Sequence, residues 1–362
     1  MRRTLERRIG GGLVALALVV GTTAGPAPAA DRVRLTDATE ITGEIVAIAP
    51  GDVEIRDAAT GEPRRVTIDR IGVVEFGGEP EGLRTARGLL VRQDPAGALA
   101  EVGAIAQVEL DGATDNVLTD VAFVKAAAAA RIATTSGTGL DAGARGLREF
   151  LAAHPRSHQV FRAQESLGDL LVRAGRFDEA ATAYSALEQG PPALRVRATL
   201  AKAAALVAQR KYDEAERAYA AAAAIETDPD DEAATRQKRE ARAGRARCLT
   251  RQGKAADAVA LVEGLIREAD PDDGELLARS YAVLGDAQRA AGRDQDALIA
   301  FLTVDLVYNS AADSHAEALY NLVQLWRKVQ NPERSRAARQ TLETAYPRSR
   351  WTRALSAAAD KG

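Results

Sequence analysis

Two histidines, one cysteine and a glycine-rich loop are the residues whose types or spacing could support chemistry. His154 and His158 are four residues apart, which is the spacing of two metal ligands on one turn of a helix. Pro155 interrupts a helix between them, and no carboxylate or cysteine is close enough in sequence to complete the four ligands of a structural zinc site. We therefore expect no metal site.

The cysteine and the loop are equally poor candidates for catalysis. Cys248 is the single cysteine and has no histidine near it in sequence, so a buried core thiol is the favoured interpretation. Residues 134–139 lack the Gly-Lys-Ser/Thr ending of a phosphate-binding loop and are typical of a linker. Because nucleophile elbows, paired metal motifs and dinucleotide fingerprints are also missing, the sequence predicts neither an enzyme nor a cofactor site.

The first thirty residues have the pattern of a signal peptide. Four arginines within residues 2–8 precede an apolar run over residues 13–20, and Ala27 and Ala29 suit a peptidase that requires small residues. We expect cleavage near Ala29 or Ala30 and a periplasmic or secreted protein. A permanent membrane anchor is the weaker alternative, because the apolar run is much shorter than the ~20 residues of a membrane span. The choice between general and twin-arginine export stays open.

Composition narrows the kind of partner. Removing residues 1–30 takes away four arginines and one glutamate, which changes the formal charge from −3 to −6. Arginine and glutamate are mixed along the whole chain, so we expect no clustered basic face and no binding of nucleic acid. A single cysteine permits no intramolecular disulfide. Alanine runs and an aromatic content of 4% favour closely packed helices.

Residues 31–78 predict a small β module. Five short β-branched runs are separated by turn sequences such as residues 49–52, Ala-Pro-Gly-Asp. We expect an antiparallel barrel, because a sheet this small needs to curl on itself to bury one face. The order of residues 42–46 and 68–71 resembles that of the small Sm-like barrels. Some relatives of that fold bind RNA, but this segment lacks an exposed aromatic platform, so a packing or docking module is favoured.

From residue 80 onward the period of apolar residues is helical, and one segment recurs. Residues 167–187 read Leu-Gly-x-x-Leu-x-x-x-Gly-x-Phe-x-x-Ala-x-x-x-Tyr-x-x-Leu, and copies begin near residues 161, 196, 239, 278 and 316. The segment resembles the tetratricopeptide repeat (TPR), a pair of antiparallel helices with small residues where they cross. The resemblance implies a mostly helical protein, a TPR-type α-solenoid with five clear hairpins.

The resemblance also sets the expected division of the chain. It is close over residues 160–350 and poor over residues 82–157, which are similar to two degenerate hairpins. The expected units are a signal peptide (1–30), a small Sm-like β barrel (31–78), degenerate helical repeats (79–157) and a TPR array with a C-terminal cap helix (158–362). An ordinary alanine-rich helical bundle is the alternative.

The repeated positions predict how the helices pack. We expect Gly168 and Gly285 to let the first helix of a hairpin touch the second. Tyr184, Tyr219 and Phe301 should fill the gap to the next hairpin. A single hairpin cannot bury its apolar face, so packing of these side chains should stabilise the stack.

In the TPR family the first helices line a concave groove that binds peptides. The resemblance implies a groove of mixed charge with one aromatic anchor. Its candidate residues are Arg162, Glu165, Asp169, Arg197, Arg247, Arg279, Asp286, Arg289, Tyr320, Gln324 and Arg327.

These features predict a non-enzymatic, extracytoplasmic scaffold without a cofactor that binds a protein or peptide partner. The repeats resemble those of proteins that coordinate envelope assembly and cell division, which suggests that context by analogy with the fold. The alternative is a structural envelope component that self-associates through the β module and uses the repeats as a spacer. The sequence leaves the partner and the oligomeric state open.

Overall fold

The computed structural model describes residues 30–359, so the segment expected to be a signal peptide lies outside the described residues except for Ala30. Five β-strands come first and sixteen α-helices follow them within this range. The expected order of a β module and then helical hairpins is confirmed.

The strands form one antiparallel sheet. Alternate side chains, including Val33, Ile41, Val53 and Ile55, are buried on one face. The strand order is β4-β3-β2-β1-β5. The bounds are β1 Asp31–Leu35, β2 Glu40–Ile48, β3 Asp52–Asp57, β4 Pro63–Thr67 and β5 Ile71–Glu75.

The sheet is open, and this corrects the expected barrel. The five antiparallel strands are present, but β4 pairs only with β3 and β5 only with β1, so the sheet has two edges. The apolar face is not buried by curling alone. Helix residues such as Leu83 and Phe161 belong to the same hydrophobic cluster as the sheet. The helices therefore cover the apolar face that a closed barrel would bury in its interior.

The helices are bounded by recognisable caps. Asp231 accepts a hydrogen bond from the Ala234 amide at 2.9 Å, and Asp273 accepts one from the Leu276 amide at 3.1 Å. The acidic Asp-Pro loops therefore supply helix N-caps. The bounds are α1 Glu81–Val91, α2 Pro95–Ala104, α3 Gln107–Leu110, α4 Asp115–Ser136, α5 Leu140–Ala153, α6 Val160–Arg173, α7 Phe177–Ala186, α8 Pro192–Ala208, α9 Tyr212–Ala224, α10 Glu232–Arg251, α11 Ala255–Glu268, α12 Gly274–Ala290, α13 Asp294–Leu306, α14 Ala312–Lys328, α15 Pro332–Ala345 and α16 Arg350–Ala359.

The helices pair as the repeat pattern predicts. The five clear hairpins are α6 with α7, α8 with α9, α10 with α11, α12 with α13, and α14 with α15. The two degenerate hairpins are α1 with α2 and α4 with α5, and α16 packs on α14 at the end. The short α3 between the degenerate hairpins is an addition that the pattern does not predict.

Aromatic rings pack against glycines at the helix crossings. A Cβ atom at Gly168 would lie 2.3 Å from the Tyr184 ring, and one at Gly285 would lie 2.7 Å from the Phe301 ring. Both rings therefore lie over the glycine of their own hairpin, which corrects the expectation that they fill the gap to the next one. Tyr219 does fill that gap, because its ring lies over Gly244 of the following hairpin.

The hydrophobic core is unevenly divided along the chain. One cluster extends from Val33 in the sheet to Ala198 in α8, and it crosses residues 78 and 157 without interruption. Four smaller clusters occupy the later hairpins. The division of the chain at residues 78 and 157 stays a prediction.

Candidate functional site

The first helices of successive hairpins lie side by side and form the candidate groove. Contacts join α4 to α6, α6 to α8, α8 to α10, α10 to α12 and α12 to α14. Because neighbouring first helices share one side of the stack, their outward positions make one continuous surface. We call the surface formed by α6, α8, α10, α12 and α14 the concave face.

Arginine–carboxylate pairs join neighbouring helices on the concave face. The Arg197 guanidinium donates to both carboxylate oxygens of Glu165, which links α8 to α6, with an Nε–Oε1 distance of 3.1 Å. The Arg279 guanidinium donates to Glu240, which links α12 to α10. These side chains remain partly exposed, so a partner could compete for them at modest cost.

The C-terminal half of the concave face continues this pattern. Asp286 lies 3.7 Å from Arg289 and 3.9 Å from Arg251, measured between charged atoms. Arg289 donates to the Gln324 Oε1 at 3.3 Å, which links α12 to α14. Asp286, Arg289 and Gln324 are thus mutually paired, whereas Arg327 is exposed at the end of α14.

One ion pair reaches past a neighbouring hairpin. Arg247 on α10 donates to the Glu317 Oε2 on α14 at 2.6 Å, although α12 comes between these helices in the stack order. Glu317 is buried, with a side chain 2% exposed. Burial would lower the pKa of Arg247, but the adjacent Glu317 carboxylate outweighs it, and the pKa lies above its ordinary value. This pair bridges the concave face from the third to the fifth clear hairpin.

A cavity of about 390 Å³ adjoins this ion pair. Leu200 and Tyr219 supply apolar walls, while Arg247, Arg279 and Glu240 supply charge. Burial raises the pKa of Tyr219 to about 12, so its hydroxyl is neutral. The cavity offers an apolar contact beside paired charges, which is the mixture found in ligand sites.

Three other candidates have internal partners. Tyr320 lies 5.2 Å from Trp351 of α16, measured between ring centroids, and is only partly exposed. Asp169 accepts a hydrogen bond from the Tyr184 hydroxyl at 2.7 Å. The Arg162 guanidinium donates to the carbonyl oxygens of residues 71 and 72 in β5, and so it faces the sheet.

The two histidines of the sequence pattern, His154 and His158, make separate contacts. The His154 Nδ1 lies 3.1 Å from the Thr119 hydroxyl, and the His158 Nε2 lies 3.7 Å from the Asp120 carboxylate. Both line a cavity of about 470 Å³ beside β2. Among residues 30–359, no group of three or more His, Cys, Asp or Glu side chains could hold a metal ion.

Sequence reasoning missed a buried charge network under the sheet. The Arg87 guanidinium donates to Glu79 and, at 2.6 Å through Nε, to Asp120. Asp120 also accepts from the Gln159 amide at 3.1 Å. These residues are up to 80 positions apart in the sequence, so no local spacing connects them. Burial without a hydrogen bond to its Nε2 lowers the pKa of His158 to about 4.

No helix that the structure describes is both long enough and apolar enough to cross a membrane.

The chain is similar to known tetratricopeptide repeat proteins in sequence and in fold. Residues 138–194, 166–232 and 200–274 each match a family model described as tetratricopeptide repeat. No curated protein matches the sequence. A solved tetratricopeptide repeat protein from Parabacteroides merdae is 16% identical, with a TM-score of 0.51 over 73% of this chain and 91% of that one. The apo form of RapI is 11% identical, with a TM-score of 0.55 over 75% of this chain and 77% of that one. At these identities the likeness concerns the fold alone.

Proposed function

The chain is a tetratricopeptide-repeat protein, and from this premise we propose that it is a non-enzymatic scaffold outside the cytoplasm that binds a protein or peptide on its concave face. The observation that carries the proposal is the continuous concave face, where the partly exposed Arg279–Glu240 pair and Arg247 line a cavity with apolar walls. Stacked repeats commonly use such a surface for partners.

The arginines of the ion pairs on the concave face can exchange an internal carboxylate for one on a partner. Arg197 and Arg279 keep 38% and 34% of their side chains exposed, so each can turn from an internal carboxylate to one on a partner. Arg327 forms no ion pair with another described residue and so adds a free cation. Leu200 and Tyr219 add apolar contact area. A partner segment with both acidic and apolar side chains would match this surface.

The absence of enzymatic activity is part of the proposal. Among the described residues, the groups with shifted pKa values are paired arginines, the buried Arg162, three tyrosines, a buried thiol, carboxylates that accept hydrogen bonds and one buried histidine. Each has a structural explanation in its own contacts, and no nucleophile is placed beside a base and an oxyanion donor.

The location outside the cytoplasm is supported by the pattern of residues 1–30 alone. We further propose that the partner is a protein of the cell envelope, since an exported scaffold meets its partners there. Mass spectrometry of the mature N-terminus tests export, because a chain that retains Met1 after fractionation would contradict it.

Site-specific photocrosslinking in the producing cell tests the binding surface. A benzoylphenylalanine at Arg327, on the concave face, should trap one dominant envelope protein. The matched control carries the same group at Arg336, which is exposed on the second helix of the same hairpin, and should trap little. Equal yields from both positions would contradict the concave face as the binding surface. Recovery of this chain alone would favour the structural, self-associating alternative.

A further inference from the structure

The cavity of about 390 Å³ on the concave face contains a hydroxyl that has no partner among the described residues. This hydroxyl belongs to Tyr219, which lines the cavity and is 8% exposed. It forms no hydrogen bond with a described residue, and it is not among the polar atoms that are shut off from solvent. The hydroxyl is therefore open to the cavity, where a ligand can bind to it.

The repeat explains why this hydroxyl is free. Tyr184 has the corresponding position in the first clear hairpin, and its hydroxyl donates to Asp169, 15 residues earlier, at 2.7 Å. The same separation places Ala204 before Tyr219, and an alanine side chain cannot accept a hydrogen bond. Phe301, at the corresponding position in the fourth clear hairpin, has no hydroxyl. Because Ala204 also lines the cavity, the small side chain leaves both an unpaired hydroxyl and open space.

Ser314 at the start of α14 contributes a second hydroxyl of this kind. It is 9% exposed, lines the same cavity and donates no side-chain hydrogen bond to a described residue. Much of the remaining lining is apolar and consists of Leu200, Ala204, Ala243, Ala311 and Ala312. The cavity therefore combines hydroxyl groups with room for aliphatic carbon.

The charged side chains of the cavity include one carboxylate in excess. Arg279 donates to both Glu240 and Glu275, with a distance of 3.4 Å between its Nη2 and the Glu275 Oε1. Neither glutamate pairs with another described cation, so one guanidinium serves two carboxylates. The other charges are matched one to one, in the pairs Arg247–Glu317 and Asp313–Arg350. The cavity thus carries a net negative charge beside its apolar walls.

The excess charge lies near the Tyr219 hydroxyl. Burial raises the pKa of Tyr219, and the Glu240 carboxylate raises it further, as expected for a negative charge close to the hydroxyl. A neutral hydroxyl can accept a hydrogen bond from a cation while the carboxylate supplies the opposite charge.

We propose that this cavity binds a lysine or arginine side chain of the partner. The methylene groups would lie against Leu200 and Ala204, and the charged end would donate to the Tyr219 hydroxyl and to Glu240. An acidic side chain would add to the excess negative charge, and a neutral one would leave it uncompensated. The inference rests on the proposed function, because the partner reaches the cavity along the concave face, and it adds the chemical class of the residue that is bound there.

Selection from a random heptapeptide library displayed on phage tests the inference without a known partner. The purified protein should select peptides in which lysine or arginine is enriched at one position relative to the unselected library. Changing that residue to methionine in the tightest-binding peptide should weaken binding about tenfold, because a charged hydrogen bond is lost. Selected peptides without an excess of basic residues would overturn the inference.

Variants of the protein locate the bound side chain. Glu240→Gln removes the excess charge and should weaken binding of the tightest-binding peptide about tenfold, whereas Tyr219→Phe removes only the free hydroxyl and should weaken it about fivefold. Because 45% of the Glu240 side chain is exposed, the substitution should leave the fold intact. Glu263→Gln is the matched control, since it removes an exposed charge of α11 outside the cavity and should leave the affinity unchanged. An unchanged affinity in Glu240→Gln would place the basic residue elsewhere and overturn the inference.

The outcomes separate this inference from the proposed function. If the library yields no binder, or only binders without a basic residue, while the crosslinker at Arg327 traps a partner, this inference fails and the proposed function stands. If basic peptides are selected and Glu240→Gln weakens them but Arg327 traps nothing, the proposed function fails and the preference of the cavity for a basic side chain stands.

Discussion

The Arg247 guanidinium and the Glu317 carboxylate form a 2.6 Å ion pair between the third and fifth clear hairpins, which are not neighbours in the stack. The two ends of this pair differ in their access to water, since 38% of the Arg247 side chain and 2% of the Glu317 side chain are exposed. That asymmetry predicts unequal costs for removing either partner.

Arg247→Leu should lower the free energy of unfolding by about 3 kcal/mol, because it leaves a buried carboxylate unpaired. Glu317→Gln should cost only about 1 kcal/mol, because the exposed part of Arg247 can turn to water. Urea denaturation of both variants measures the difference. Equal costs would show that Glu317 has access to solvent that the structure does not give it.

Gly285→Ala should destabilise the fourth clear hairpin by about 1–3 kcal/mol, since the added Cβ would lie 2.7 Å from the Phe301 ring. Gly285→Leu should cost more for the same reason. Gly146→Ala is the matched control within a helix, because nothing lies within 4 Å of a Cβ at that position, and it should stabilise the protein by up to about 1 kcal/mol. Thermal melting of the three variants decides, and opposite signs for the two alanine variants are the expected result.

Tyr320→Ala should lower stability, because its ring packs on Trp351 and so joins α14 to α16. A double-mutant cycle with Trp351→Ala should give a coupling energy of about 0.5–1.5 kcal/mol. The predicted role of Tyr320 as an aromatic anchor makes a different prediction, a loss of partner affinity with unchanged melting. Measuring both quantities on the single variant distinguishes the two roles.

Stability should fall as the pH is lowered from about 6.5 to about 4. The unfolded chain takes up a proton on His158 near pH 6.5, whereas in the folded protein burial, with Arg87 and Arg162 nearby, holds the pKa of His158 at about 4 despite the Asp120 carboxylate. The unfolded state therefore binds more protons throughout this window. The loss should amount to about 3 kcal/mol across it. His158→Phe should flatten this part of the pH dependence, and an unchanged slope would show that other groups cause it.

Local patterns predicted the helices well because each hairpin is encoded within some 35 residues. The repeat pattern placed Gly168 at the crossing within its hairpin, but it placed Tyr184 in the gap to the next hairpin, whereas the Tyr184 ring lies over Gly168. The N-caps Asp231 and Asp273 lie in acidic loops directly before α10 and α12, and such local signals can be read from the sequence.

Contacts between distant parts of the chain escaped prediction. The sheet would close only if β4 paired with β5, and these strands lie at opposite edges. Helices cover the apolar face instead, so burial of that face does not require a closed barrel. The candidate groove residues were chosen by position in the repeat, and nothing in the sequence indicates that Arg197 pairs with Glu165 or that Arg162 turns to β5.

The unequal hydrophobic clusters determine where the molecule opens first. Because the cluster from Val33 to Ala198 includes the sheet and the early hairpins, their amides should exchange with deuterium together, in one cooperative opening. Each later cluster joins neighbouring hairpins, and the last one extends from α12 to α16, so these hairpins should open in smaller cooperative groups. A molecule that opens in one large unit and several smaller ones can hold one end of a long ligand while the contacts along the rest adjust.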